Sequence, residues 1–245
     1  MRLNPKRSHA RRCAVVFLAA WTVAAAQSPS PPLDSIDQRV QPCMVCHGKE
    51  GRATSDGYYP RIAGKPAGYL FNQLINFRNG HRHFPMMTYL VERQSDAYLQ
   101  EMADYFARQD LPYPPPQALS VPPAVLARGE QLVMEGDASQ RIPACRSCHG
   151  ARLVGVAPAV PSLLGLPRDY LMAQIGAWKN GTRRAAAPDC MAEVAKDLSP
   201  ADVNAVASWL ATQPVPENAK ADAEFAEPPP RQCGSIPDHT STSAP

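Results

Sequence analysis

Two short motifs contain the residues whose types and spacing can support chemistry. Each has two cysteines three positions apart and a histidine directly after the second: Cys43, Cys46 and His47, then Cys145, Cys148 and His149. Cys-x-x-Cys-His is the attachment signature of a c-type haem. The two thiols lie on one turn and bond the two vinyl groups of one porphyrin, while the adjacent histidine binds the iron. The motifs therefore predict two covalently bound haem c groups.

Three other chemistries also use paired cysteines. A shared zinc site is disfavoured because the two pairs lie about 100 residues apart, whereas zinc-binding pairs usually lie 15–20 residues apart. A thioredoxin-type redox pair would need a βαβ setting, which the sequence does not show. Disulfides between the motifs suit an exported chain but leave both histidines unexplained.

The segments that follow the motifs repeat each other at a constant offset of 101 residues. Pro60 and Pro161 begin the repeated segments, and Tyr-Leu-x-x-Gln and Asn-Gly-x-Arg follow in both. Proline at the start and glycine at the end predict one helix from Pro66 to Gly80 and another from 167 to 181. Ser95 and Ser199 are expected N-caps of a closing helix in each repeat. The repeat predicts an all-α fold with two similar single-haem domains.

Each iron needs a ligand opposite the histidine, and the repeat identifies a methionine in each half. Met87 lies nine residues before Asp96, and Met191 lies nine residues before Pro200 at the start of the other closing helix. Methionine is a soft ligand that raises the haem reduction potential. Met86 remains the alternative for the first iron, although it aligns with a cysteine in the second repeat.

Two other groups of side chains follow the helix-ending glycines. His81 and His83 are alternative axial ligands, but the second repeat has no histidine in their place. Arg82 and Arg183 recur in Gly-x-Arg, where each can pair with a haem propionate or remain a solvated surface charge.

The first 26 residues differ in composition from the rest of the chain. They contain five basic residues and no acidic one, followed by a short apolar run that ends in small residues at Ala26. This pattern predicts a signal peptide over 1–26 and export to the periplasm. The run is shorter than the roughly 20 residues that span a bilayer, so no membrane span is expected in the mature chain. The full chain has 245 residues, and the part that follows this segment is slightly acidic. A slightly acidic chain disfavours nucleic-acid binding.

Proline-rich segments suggest the domain boundaries. A stiff linker at 112–123 is expected to separate a first domain at 34–111 from a second at 124–213. The tail at 214–245 is rich in proline, alanine and serine and is predicted to be flexible. Cys190 and Cys233 are predicted to form a disulfide that ties this tail near the second haem.

Over roughly residues 36–213 the chain resembles the two-haem cytochrome c4 family of class I c-type cytochromes. The resemblance rests on the paired haem motifs, Pro-x-x-x-Gly before Tyr-Leu-x-x-Gln, the Asn-Gly-x-Arg turn and the methionine before each closing helix. It implies two tandem class I cytochrome c domains, each wrapped around one haem with histidine and methionine ligands. It also implies that the Pro60 and Pro161 carbonyls accept the N–H of His47 and His149.

Two hypotheses about function follow. Six-coordinate iron leaves no site for substrate, which favours an electron carrier rather than an enzyme. Its expected donor is a quinol-oxidising cytochrome complex or a periplasmic dehydrogenase, and its expected acceptor is a terminal oxidase. The alternative is a cytochrome subunit of a dehydrogenase, or a thiosulfate-oxidising dihaem enzyme in which Cys190 is a thiolate ligand.

Overall fold

The computed structural model describes residues 34–54 and 57–236. The predicted signal peptide at 1–26 lies outside the described residues. Within the described part the fold is mostly helical, which confirms the all-α prediction. None of the helices there is long and apolar enough to cross a bilayer. The α-helices are α1 (Ile36–Arg39), α2 (Gln41–His47), α3 (Ala67–Arg78), α4 (Pro85–Val91), α5 (Asp96–Ala107), α6 (Pro123–Met134), α7 (Arg146–His149), α8 (Arg168–Lys179), α9 (Cys190–Asp197) and α10 (Pro200–Thr212).

In residues 34–111, here called the first half, α3 packs against α4 and α5. Pro66 caps α3 and Gly80 follows its end with a φ of 72°, as the sequence pattern predicts. Ser95 caps α5 by accepting a hydrogen bond from the Tyr98 N–H at 3.2 Å. The first half has two clusters of buried apolar residues, which consist of Val40, Leu70, Met102, Ala103 and Phe106, and of Phe77, Val91 and Leu99.

In residues 123–236, here called the second half, α10 packs along α6 and α8, and α8 also contacts α9. Ser199 and Asp202 form a reciprocal capping box at the start of α10. The helices α6 and α10 approach so closely that only glycine fits at position 129, where an added Cβ would lie 2.2 Å from the Ala205 carbonyl oxygen. A short hairpin of β1 (Gly155–Val156) and β2 (Val160–Pro161) carries the proline that faces the second histidine.

Residues 111–122 form neither helix nor strand. Arg61 of the first half anchors the start of this segment by donating hydrogen bonds to the carbonyls of Leu111 and Pro112 at 2.6 and 3.0 Å. Its guanidinium also stacks 4.0 Å from the centre of the Tyr113 ring. The Gln117 N–H bonds the Ala211 carbonyl of α10 at 2.9 Å, so the linker contacts both halves.

The tail after 213 is predicted to be flexible, and its described residues contact β1 and α9. Asp222 exchanges backbone hydrogen bonds with Gly155 and Ala157 at 3.0 and 2.8 Å, beside β1. Further along, Arg231 forms an ion pair with Glu193 at 2.6 Å. The tail residues after 236 lie outside the described part.

The disulfide predicted between Cys190 and Cys233 is present and closes a loop with a sequence separation of 43 residues. It joins the first residue of α9 to the tail, and the adjacent Gly234 N–H donates to the Pro188 carbonyl at 3.0 Å. The disulfide and the Arg231–Glu193 ion pair together hold the tail on α9.

Candidate haem sites

Each Cys-x-x-Cys-His motif ends at the last residue of a short helix, α2 or α7, and both histidine side chains are buried. The Nδ1 of His47 donates to the Pro60 carbonyl at 2.8 Å, and the Nδ1 of His149 donates to the Pro161 carbonyl at 2.9 Å. A carbonyl only accepts hydrogen bonds, so the proton lies on Nδ1 and the Nε2 lone pair is left for a metal. The structure thus contains both contacts that the resemblance implies.

The surroundings favour neutral imidazoles and protonated thiols. Burial lowers the pKa of His47 and of His149, and the proline carbonyls only partly offset it. Nearby Arg82 lowers the pKa of His47 further, and Lys65 has the same effect on His149. Burial raises the pKa of Cys145 to about 12. A neutral imidazole is the form that coordinates iron.

A cavity of about 780 Å³ extends along both motifs. This volume lies within the range of cofactor pockets, about 300–1,000 Å³. The four motif cysteines, both histidines and all three candidate methionines line it. Most of the other lining side chains are apolar, which suits a porphyrin. The thiols, the available Nε2 atoms and the thioethers are the donors that a covalently attached haem requires, so these residues fit the group.

The three candidate methionines lie in different surroundings. Met87, on α4, is partly buried against the cluster that contains Phe77 and Leu99. Met86, one residue earlier, is 54% exposed. Met191 lies on α9 at half-buried depth, next to the disulfide. The side chains of His81 and His83 are exposed.

Between the two halves lies a polar cluster that the sequence analysis did not predict. This central cluster consists of Tyr69, Gln73 and Arg82 from the first half and Tyr170, Gln174 and Arg183 from the second. Arg82 donates to Gln73, Gln174 and Tyr170 at 2.9, 2.6 and 3.1 Å. Arg183 donates to Gln174, Gln73 and Tyr69 at 2.9, 3.0 and 3.4 Å. The two sets of bonds are reciprocal: each bond of Arg82 matches a bond of Arg183 between residues 101 positions from the first pair.

Two backbone hydrogen bonds extend this symmetry. The His83 N–H donates to the Thr182 carbonyl at 2.8 Å, and the Arg184 N–H donates to the His81 carbonyl at 2.7 Å. The signal in the sequence was the repetition of tyrosine, glutamine and arginine at one offset. This repetition indicates that the residues occupy equivalent positions, but it does not predict that they contact each other.

The central cluster has an excess of positive charge. No ion pair of the described residues includes Arg82 or Arg183. Burial lowers the pKa of Arg183, and the charge of Arg82 lowers it further. Burial alone would raise the pKa of Tyr69, but the charges of Arg183 and Arg82 outweigh it and lower the pKa. These cations line the cavity, where a bound haem would contribute two carboxylates.

The indole of Trp178 is a second feature that fits a haem. Its Nε1 is buried with no hydrogen-bond partner among the described residues, although buried donors are normally paired. The ring lies beneath the Arg183 guanidinium at 3.8 Å and lines the cavity. A propionate oxygen would satisfy this N–H and neutralise the arginine.

The helical fold, the two histidine sites and the cavity together define a class I c-type cytochrome with two haems. No family model matches the chain. The chain is 36% identical over 219 residues to the thiosulfate dehydrogenase electron acceptor of Thiomonas intermedia, which covers 87% of this chain and 96% of that protein. It is 32% identical over 170 residues to cytochrome c4 of Pseudomonas aeruginosa, covering 69% of this chain and 82% of the relative.

Two solved structures are similar to this fold over most of the chain. Reduced cytochrome c4 from Pseudomonas stutzeri matches with a TM-score of 0.63 and 28% identity, over 72% of this chain and 96% of that chain. Thiosulfate dehydrogenase from Marichromatium purpuratum matches with a TM-score of 0.61 and 31% identity over 70% of this chain. The match spans only 36% of that dehydrogenase chain. The protein described here belongs to the cytochrome c4 family. It is a dihaem electron carrier with haem c attached at both motifs.

Proposed function

We propose that the protein is an exported electron acceptor that takes electrons from a thiosulfate dehydrogenase in the periplasm and passes them to a terminal oxidase. The observation that carries the choice of donor is the 36% identity over nearly the full length of a thiosulfate dehydrogenase electron acceptor. A second acceptor with that name, from Stutzerimonas stutzeri, is 34% identical over 169 residues. The other candidate donor is a quinol-oxidising cytochrome complex, which the resemblance to cytochrome c4 supports.

The donor is tested by stopped-flow reduction of the oxidised, haem-loaded protein. A purified thiosulfate dehydrogenase with thiosulfate should reduce both haems, while thiosulfate without the dehydrogenase should reduce neither. A quinol-oxidising complex with quinol serves as the competing donor in a parallel reaction. Faster reduction by that complex at equal concentration would contradict the proposed donor.

We propose His47 with Met87 and His149 with Met191 as the axial ligands. The bound haem supplies reversible one-electron chemistry at iron, and the chain holds the histidines in the required tautomer. The partial burial of Met87 and the exposure of Met86 support this assignment for the first site.

The ligands are tested by EPR and near-infrared magnetic circular dichroism of the oxidised protein. Met87→Leu and Met191→Leu should each remove the methionine–iron signal of one haem. Met86→Leu is the matched control and should remove neither. Loss of a signal in Met86→Leu with retention in Met87→Leu would reverse the assignment.

We propose that Arg82, Arg183 and Trp178 bind haem propionates. The supporting observation is that the buried Arg183 guanidinium, the partly buried Arg82 guanidinium and the buried Trp178 indole N–H have no anionic partner among the described residues. Trp178→Phe places in the second half the residue type that the first half has at Phe77. The variant should raise the pKa of one propionate of the second haem, measured by NMR titration of the haem-methyl resonances. An unchanged titration would contradict this role.

The alternative in which Cys190 is a thiolate ligand gains no support from the structure. Its sulfur is bonded to Cys233 and is therefore not available as a thiolate. Steady-state oxidation of thiosulfate by the protein alone, with an artificial acceptor, would instead support the enzyme.

The predicted signal peptide is tested by mass spectrometry of the periplasmic protein. Its first residue should be Gln27, as cleavage after Ala26 predicts.

A further inference from the structure

Lys65 is a buried cation that the haem motifs and the repeat do not account for. It lies between Gly64 and the N-cap of α3, and its side chain is only 4% exposed, although lysine is rarely buried. Its ammonium Nζ crosses from the first half to the second and donates a hydrogen bond to the Ser162 carbonyl at 3.1 Å. The position 101 residues later is Leu166, so the second half makes no reciprocal contact.

The acceptor of this bond is next to the contact that orients the second histidine. Ser162 follows Pro161, whose carbonyl accepts the Nδ1–H of His149 at 2.9 Å. Lys65 therefore holds the loop that positions His149 and places a positive charge beside it. The charge of Lys65 also contributes to the lowered pKa of His149. At the first site Arg82 is the cation that acts on His47.

We infer that Lys65 of the first half is a positioning residue that raises the reduction potential of the second haem. The inference rests on the proposed two-haem function. Reduction from the ferric to the ferrous state adds one negative charge, which a nearby cation stabilises. The interaction is strong in this place because Lys65 is shielded from water and salt. The first half thus sets a property of the second haem through one side chain.

The perturbation is Lys65→Met, which keeps a long unbranched side chain and removes the charge. Potentiometric titration of the haem-loaded protein at pH 6 gives the two reduction potentials. That pH is chosen because burial lowers the pKa of Lys65 to about 7, and the ammonium is protonated below that value. The two haems are assigned from haem-methyl NMR resonances in the Met191→His variant.

At a fixed solution potential we expect the ferrous-to-ferric ratio of the second haem to fall about tenfold, which corresponds to 59 mV for one electron. The reduction potential of the first haem should not change. Lys65→Arg retains the charge and should restore the wild-type potential. The matched control is Lys220→Met, which removes the same charge at a side chain 77% exposed and should change neither haem.

Unchanged potentials in Lys65→Met, or equal shifts of both haems, would refute the inference. If Lys65→Met disturbs the ligands in the EPR spectrum, Lys65→Gln keeps a donor for the Ser162 carbonyl and must still lower the second potential. A wild-type EPR spectrum without two histidine–methionine haems would contradict the proposed function instead. The two failures are therefore distinguishable.

Discussion

Replacing Gly129, where α6 crosses α10, should lower the stability of the protein, whereas replacing Gly176 of α8 should raise it. Gly129 lies inside α6, where an added Cβ would be 2.2 Å from the Ala205 carbonyl oxygen and 2.7 Å from the Trp209 Cβ. The nearest atom belongs to the backbone of α10, so no change of rotamer relieves the contact. Gly176 lies inside α8, and a Cβ added there meets no heavy atom within 4 Å.

The expected magnitude for Gly129→Ala follows from these distances. The helices must separate by about 1 Å, and a gap of 0.5–1 Å removes a quarter to a half of each dispersion contact along the interface. Overpacking of this kind costs about 1–3 kcal/mol of stability. Because the contact is with backbone, we expect a cost of about 3 kcal/mol. The better helix propensity of alanine returns about 1 kcal/mol. The free energy of unfolding should fall by about 2 kcal/mol.

The assay is thermal unfolding of the haem-loaded protein followed by far-ultraviolet circular dichroism. For a chain of this size about 2 kcal/mol corresponds to a decrease in Tm of roughly 4–8 °C. Gly176→Ala is the matched control, and it should raise stability by about 0.5–1 kcal/mol. A Gly129→Ala variant as stable as the wild type would refute the reasoning, as would equal responses of the two variants.

Two further predictions concern the tail and the acid stability of the second half. Replacing both Cys190 and Cys233 by alanine should lower the free energy of unfolding by about 2–4 kcal/mol, because the chain-entropy relation for a loop of 43 residues gives about 4 kcal/mol. Denaturant unfolding with and without reductant checks this prediction. A double variant whose stability changes with reductant would contradict it. The pKa of Asp137 is lowered to about 2, mainly by the hydrogen bond from Ser139 and next by that from Arg128. The resulting stability is present above the ordinary value of 3.8 and is lost as the pH falls toward 2, so Asp137→Asn should unfold with a weaker pH dependence between pH 4 and 2. Parallel acid titrations by circular dichroism measure the difference, and superimposable curves would refute it.

Local sequence signals predicted the helices well. Proline before α3 and α8 and glycine after them fixed both ends, since these residues act through their own backbone preferences. Ser95 and Ser199 cap the closing helices for the same kind of local reason. The two residues of β1 and of β2 are too few to produce a periodic pattern.

Contacts between the halves could not be predicted in this way. The bond from Lys65 to Ser162 joins residues 97 positions apart, and it depends on how the two halves pack. The repeat shows that Arg82 and Arg183 are equivalent, but only the packed structure shows that both reach the same two glutamines. The contacts of the described part of the tail are backbone hydrogen bonds and ion pairs, which composition does not reveal.

The attachment of the tail to α9 makes the two ends of the molecule unlike. By the alignment of Met87 with Met191, Met86 and Tyr89 of α4 correspond to Cys190 and Glu193 of α9. On α9 both positions are occupied by the molecule's own tail, through the disulfide and the pair with Arg231. On α4 both remain open, and the exposed large apolar side chains of the described residues all belong to the first half. The two halves share a repeated sequence but differ in surface: the tail covers α9 in the second half, whereas the equivalent positions of α4 in the first half are exposed.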